Sequence, residues 1–245
     1  MSNVNDFIAS LNAIAEKNSI RVFLPSLQRV VRFKPINAKQ HKSIYSCAKD
    51  NVIYNTKFII TTYNIIKENC LEPDVISELN IIDRTYILLA LRKDVLGTVY
   101  KNINFESCLS LTYTTALPVS DILNINDVKI QPQIPLLEES YKMELELRSD
   151  LQDETITIDT LTEELIINSC CKFIKEIWVG DVQINFGSFN FKERLTIVEN
   201  LPAVVLNHLQ YFAGKVTELQ DSITAVTDID KKTQQFYIDT DFFLT

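Results

Sequence analysis

The side chains best suited to chemistry are few and scattered along the 245 residues. Two histidines, His41 and His208, are the groups most able to exchange protons near neutral pH. A Cys–His nucleophile needs its two groups within hydrogen-bond reach. Cys47 and His41 stand six apart near one helix, a spacing that puts them on different faces. His208 follows Leu206-Asn207 on an amphipathic run and reads as a packing or surface residue. The carboxylate pairs Glu138-Glu139, Glu163-Glu164 and Asp239 with Asp241 would suit acid–base work only if an apolar pocket separated their pKa values. Each falls at a helix start or on an alternating polar face, which predicts solvated surface. The five cysteines, Cys47, Cys70, Cys108, Cys170 and Cys171, share no C-x-x-C spacing. Cys170-Cys171 lies in an apolar, helical-looking run, where free cysteine behaves as a small hydrophobe, so buried thiols are expected.

Glycine is the most informative shortage. Only Gly97, Gly180, Gly187 and Gly214 occur, where an average chain has roughly 7% glycine. None fall in a G-x-G or G-x-x-x-x-G-K pattern, and a backbone that approaches pyrophosphate needs such clusters. Phosphate loops and dinucleotide fingerprints are excluded. No catalytic residue, metal, cofactor or small-molecule substrate is expected.

Charge is segregated within a net of −8. Residues 1–60 carry nine Lys/Arg against three Asp/Glu, whereas residues 136–165 carry two against ten. Such a pattern is either a solvated mixed surface or a charge-steered protein interface. Nucleic acid is not the expected partner, because the basic residues spread over 60 positions without aromatics alternating between them as a stacking platform. No run of 18 apolar residues exists, so no membrane span is predicted. Met1–Lys17 mixes polar and apolar residues unlike a signal peptide, and the chain is expected to stay in a cytoplasm.

The elements that must position these groups follow from periodicity. Val4, Phe7, Ile8, Leu11 and Ile14 predict an amphipathic helix from Val4 to Glu16. Residues 21–35 read as two short strands joined around Pro25-Ser26. Asn37 caps a helix towards Asn51, and Thr56–Asn69 is a second. Asp83 is predicted to cap a third, Arg84–Leu96, with Gly97 after it. This helix is apolar around most of its circumference and so central. Tyr141–Arg148 alternates strictly between apolar and charged residues and predicts a strand with one wet face, beside Leu109–Ala116 and Asp127–Ile130. Thr155–Ile158 adds a β-branched run. Thr160-x-x-Glu163 predicts a capped helix running through Trp178, and Asn190-x-x-Glu193 another. Gly180–Phe189 lies between them as a short hairpin or loop. Pro202 opens a last helix to about Leu219. Gly214 inside it is unfavourable by up to about 1 kcal/mol against alanine, which suggests another element packed closely there.

The tail Phe236–Leu244 alternates again, after a polar linker at Thr227–Lys232. Alternation at a chain end suits ordinary core, and also a strand added to another protein's sheet edge. The candidate partner interface is therefore Arg29, Arg32 and Lys34 in the basic head, Trp178, and Phe236, Ile238, Phe242 and Phe243 in the tail.

Several of these segments occur together in a known order. Val22-Phe23-Leu24-Pro25-Ser26, then Val31-Arg32-Phe33-Lys34-Pro35 and a polar helix, come first. The Leu88-Leu89-Ala90-Leu91-Arg92 block, Asn126-Asp127-Val128-Lys129-Ile130, and Phe173-Ile174-Lys175-Glu176-Ile177-Trp178 with paired C-terminal helices follow. Over roughly residues 20–220 the chain resembles the baseplate hub and hub-assembly proteins of T-even-type contractile-tailed bacteriophages. Many relatives carry a C-x-x-C pair before the β middle. The matching place here reads Cys108-Leu109-Ser110-Leu111, so no metal site carries over.

The resemblance implies a non-enzymatic structural or assembly component of the tail baseplate hub that binds other hub proteins, located in the virion tail or in the host cytoplasm during assembly. Two alternatives stand beside it: a hydrolase-like catalytic assembly factor, and a transient chaperone absent from the finished particle. The expected architecture is α+β. Residues 1–105 form an N-terminal β-hairpin plus helices, 106–160 a central antiparallel β region, 161–220 a C-terminal helical region, and 221–245 a linker and β-like tail.

Overall fold

A computed structural model describes residues 4–47, 56–96, 123–125, 127–151, 170–222, 224–226 and 233–235. The described residues fall into two compact units, one drawn from 4–96, 136–141 and 224–235, the other from 123–135 and 142–222. The α+β class holds, with an N-terminal hairpin and helices, central antiparallel strands and C-terminal helices.

In the first unit, helix α1 (Val4–Lys17) precedes the hairpin of β1 (Ile20–Leu24) and β2 (Arg29–Phe33). Their register pairs Arg21 with Arg32, Val22 with Val31, and Phe23 with Val30. The period of two sends Val22, Leu24, Val31 and Phe33 into the core and Arg21, Phe23, Val30 and Arg32 outward. The second edge of β2 is covered by the segment after the third helix. Lys34 donates its N–H to the Asn69 carbonyl (2.8 Å), and Leu71 donates to that of Arg32 (3.0 Å).

Helix α2 (Ala38–Cys47) begins at the predicted cap. Asn37 Oδ1 accepts from the Gln40 N–H (2.9 Å), and Gln40 Oε1 accepts from the Asn37 N–H (3.1 Å). Gln40 is buried and exchanges amide hydrogen bonds with Asn69, at the end of α3 (Thr56–Asn69), over 2.9 and 3.2 Å. A short 3-10 turn (Pro73–Glu78) leads to α4 (Ile81–Leu96), in which every residue from Tyr86 to Arg92 is buried. Its position packed on β1 is the central one that its all-round apolar character predicts. The helix starts earlier than predicted, however. Asn80 is the cap, its Oδ1 accepting from the N–H groups of Ile82 (2.9 Å) and Asp83 (3.0 Å), while Asp83 Oδ2 accepts from the Asn80 N–H (3.0 Å). Asp83 is therefore the reciprocal acid of a capping box, because the asparagine three residues before it already supplies the acceptor. Strands β7 (Thr224–Val226) and β8 (Thr233–Gln235) pair antiparallel.

In the second unit, β3 (Leu123–Ile125), β4 (Val128–Pro132), β5 (Ile174–Val179) and β6 (Val182–Asn185) form one antiparallel sheet in that order. Proline cannot donate to a ladder, and the register shifts at Gln131/Pro132 where β4 ends. Gly180, at φ +59°, opens the two-residue turn between β5 and β6. Trp178 lies on β5, so the predicted helix through it is corrected. The described helical residues there end at Lys172, and Ile174–Val179, with two isoleucines, a valine and a tryptophan, is strand-forming by composition.

The predicted strand at Tyr141–Arg148 is also corrected, because it lies within helix α5 (Leu137–Leu151). After Tyr141, its alternating residues are Met, Leu, Glu, Lys and Arg, all strong helix formers with no β-branched residue among them. Glu138 and Glu139 occupy the first turn, where carboxylates complement the helix dipole. Propensity and end charge outweigh a period-two pattern of only eight residues. Helix α6 (Phe191–Glu199) has the predicted capping box from Asn190 and Glu193, and α7 (Ala203–Ser222) follows Pro202 directly. Cys170, Cys171, Ile177, Phe186, Phe191, Val198 and Leu209 belong to this unit's core. Among the described residues the space around a Cβ at Gly214 is open to 4 Å, so none of the described elements packs against it. Leu109–Ala116, Thr155–Ile158, Gly97 and the Thr160-x-x-Glu163 cap lie outside the described residues.

Candidate functional site

Of the residues predicted to meet a partner, three lie in the first unit, one in the second, and four outside the described residues. Arg29 and Arg32 lie on β2, and Lys34 follows it. Arg29 reaches Glu72 Oε2 at 3.1 Å and Lys34 reaches Glu16 Oε1 at 3.1 Å, so both are paired within the chain. Arg32 is exposed, and among the described residues its guanidinium has no ion pair. Trp178 is half-buried on β5, next to the exposed tip formed by Val179 (53%) and Val182 (62%). Phe236, Ile238, Phe242 and Phe243 lie outside the described residues.

Two surface features were missing from the expected interface. Arg21 stands directly across from Arg32 on the outer face of the hairpin. Its signal was the alternation around it, which places it in phase with Phe23. The second is α1. None of its residues is buried, and Val4, Phe7, Ile8, Leu11 and Ile14 are 49–70% exposed. The 3-4-3 spacing of Val4, Phe7, Leu11 and Ile14 was legible, and such a stripe normally faces a core. Here it faces solvent.

Among the groups that looked capable of chemistry, the thiols of Cys47, Cys70, Cys170 and Cys171 are buried. Cys47 Sγ donates to the Ser43 carbonyl (3.3 Å) and contacts Thr61 Oγ1 (3.4 Å). Burial pushes the Cys170 thiol up to about 11 and Cys171 up to about 12, the reverse of nucleophile activation. His208 is exposed on α7. His41 lines an open groove of about 730 Å³ with Asn37, Lys42, Tyr45, Asp94 and Val95. Asp94 is exposed on α4, and partial burial raises its carboxyl above the usual value. The described lining residues include one imidazole and one carboxyl but no serine or cysteine. Among the described residues, no group of three or more His, Cys, Asp or Glu is arranged to hold a metal, and no helix is long and apolar enough to cross a membrane.

No curated protein and no solved structure matches the chain. A family model does, the T4 bacteriophage base plate protein model, over residues 17–243. That span begins at the last residue of α1 and takes in the hairpin, the helices α2 to α4 and the four-stranded sheet. The chain belongs to the T4 bacteriophage base plate protein family.

Proposed function

We propose that this protein is a non-enzymatic component of the central hub of the tail baseplate and acts by binding other hub proteins. The observation that carries the reading is the apolar stripe of α1. Five large side chains, spaced to face a core, are left 49–70% exposed on a helix with no buried residue. A contiguous exposed apolar face on a soluble chain marks a surface that a partner covers, and a 3-4-3 stripe is shaped for a partner's helix or groove. Membership of a baseplate family supports other baseplate proteins as those partners. The test is affinity purification from phage-infected cells with partners identified by mass spectrometry. Recovery of hub proteins supports the reading, and their absence while other tail proteins co-purify counts against it. Mass spectrometry of purified virions then separates a resident subunit from a chaperone that leaves. Deleting Phe236–Thr245 tests the tail, whose proposed role predicts loss of partner co-purification from a chain that remains folded.

The groove beside α2 favours a second reading, a hydrolase-like assembly factor, because it brings His41 and the raised carboxyl of Asp94 to one opening. Replacing His41 with alanine decides between them. The hub reading predicts unchanged particle assembly, and the catalytic reading predicts its loss.

A further inference from the structure

We infer that the outer face of the β1–β2 hairpin docks an acidic, apolar segment of a partner protein, with Arg21 and Arg32 gripping its carboxylates. This rests on the reading that the chain works by protein binding, and it names the chemistry of one partner surface.

The register places Arg21 and Arg32 directly opposite each other on the exposed face. Opposed residues in an antiparallel pair hold their Cβ atoms about 5 Å apart, and like charges in that position destabilise the hairpin. The chain has acids nearby but uses them elsewhere. Glu72 pairs with the Arg29 side chain and accepts the Arg32 main-chain N–H (3.4 Å), and Glu16 pairs with Lys34. Among the described residues neither central guanidinium has an ion pair. The unfavourable pair is relieved when carboxylates arrive from outside, since two guanidinium forks match carboxylates in plane.

The next pair along the same face, Phe23 and Val30, is 37% and 45% exposed and provides apolar contact beside the charges. A peptide that alternates acidic and apolar side chains meets both. A nucleic-acid backbone fits less well. The carboxylates of Glu16 and Glu72 bracket the arginines, and the chain's net charge of −8 opposes a polyanion.

The test uses the full chain and a fluorescein-labelled peptide of alternating glutamate and leucine, read by anisotropy, with a glutamine–leucine peptide and oligothymidylate as comparisons. The substitution Arg21→Glu creates an opposite-charge pair with Arg32. It should raise the thermal midpoint while weakening the glutamate–leucine peptide about tenfold, and the glutamine–leucine peptide should bind weakly to both chains. Lys215→Ala, which removes a cation of α7 paired with Glu218, should leave peptide affinity within about threefold. A structural role for Arg21 would instead move stability and binding down together, and that result overturns the proposal. So does absence of peptide binding, equal binding of the uncharged peptide, or oligothymidylate bound by the wild type and lost in Arg21→Glu. If disruption of the gene leaves baseplates intact, the hub reading fails whatever the peptide does. If the chain co-purifies with hub proteins and Arg21→Glu binds peptide normally, only the docking claim fails.

Discussion

Ser26 and Asp83 lie 57 residues apart and are joined side chain to side chain and side chain to backbone. Asp83 Oδ1 accepts from the Ser26 N–H (3.1 Å), and Oδ2 accepts from the Ser26 hydroxyl and from the Asn80 N–H (3.0 Å). One buried carboxylate thus fixes the hairpin turn and the start of the central helix. Both residues stood out in the sequence, Ser26 beside the Pro25 turn and Asp83 at a helix start, but their contact was not legible from either. Asparagine cannot replace this carboxylate, because its amide NH2 must face either the Ser26 or the Asn80 N–H. Asp83→Asn should therefore destabilise the chain by about 1–3 kcal/mol, measured by urea unfolding.

The same pair sets a pH dependence. Burial pushes the Asp83 carboxyl above its usual 3.8, against hydrogen bonds from Ser26 and Asn80 that pull it down. A carboxyl raised by folding contributes stability on the acid side, which is lost as pH rises through its folded value. The stability advantage of wild type over Asp83→Asn should be largest below about pH 3.8 and narrow as pH rises through the raised folded value. A gap that widens with pH would show that the hydrogen bonds outweigh burial.

Helix α5 is where the sequence pattern and the structure part most clearly. In the predicted strand, Met143 and Leu145 share an apolar face and should be equally costly to truncate. In the helix Met143 is buried (5% exposed) and Leu145 is 40% exposed. Met143→Ala should lose about 2–5 kcal/mol and Leu145→Ala under about 1, compared by denaturant unfolding.

Gly214→Ala should stabilise the protein by up to about 1 kcal/mol. The glycine sits inside α7 with open space where a Cβ would be, so alanine gains helix propensity without a clash. Thermal unfolding of the variant checks this, and a lower midpoint would reveal a contact made there.

Cys170 and Cys171, pushed up to about 11 and about 12 by burial, should resist iodoacetamide at mildly alkaline pH and react on unfolding. Peptide mapping of the alkylated sites provides the readout.

Most element positions were legible because they rest on local signals. The α1 stripe, the hairpin alternation, the limits of α3, and the caps at Asn37 and Asn190 all survive in the structure. The failures came where two local signals conflict. Around Trp178, the apolar run preceding it concealed a switch from helix to strand, and at Tyr141–Arg148 helix-forming residues follow a strand-like period. The candidate surfaces were less legible for a different reason. Sequence places Arg32 in a basic region, but only register reveals Arg21 opposite it, and only packing reveals that Arg29 and Lys34 are already paired.

The central claim, that this baseplate protein works through contacts its own fold leaves uncovered, is tested most directly on α1. The double substitution Phe7→Ser and Leu11→Ser changes side chains 62% and 49% exposed, so the thermal midpoint of the isolated chain should not fall. Supplied to cells infected with phage lacking the wild-type gene, this variant should restore few infectious particles and fail to co-purify hub proteins. Full restoration by a stable variant would contradict the account.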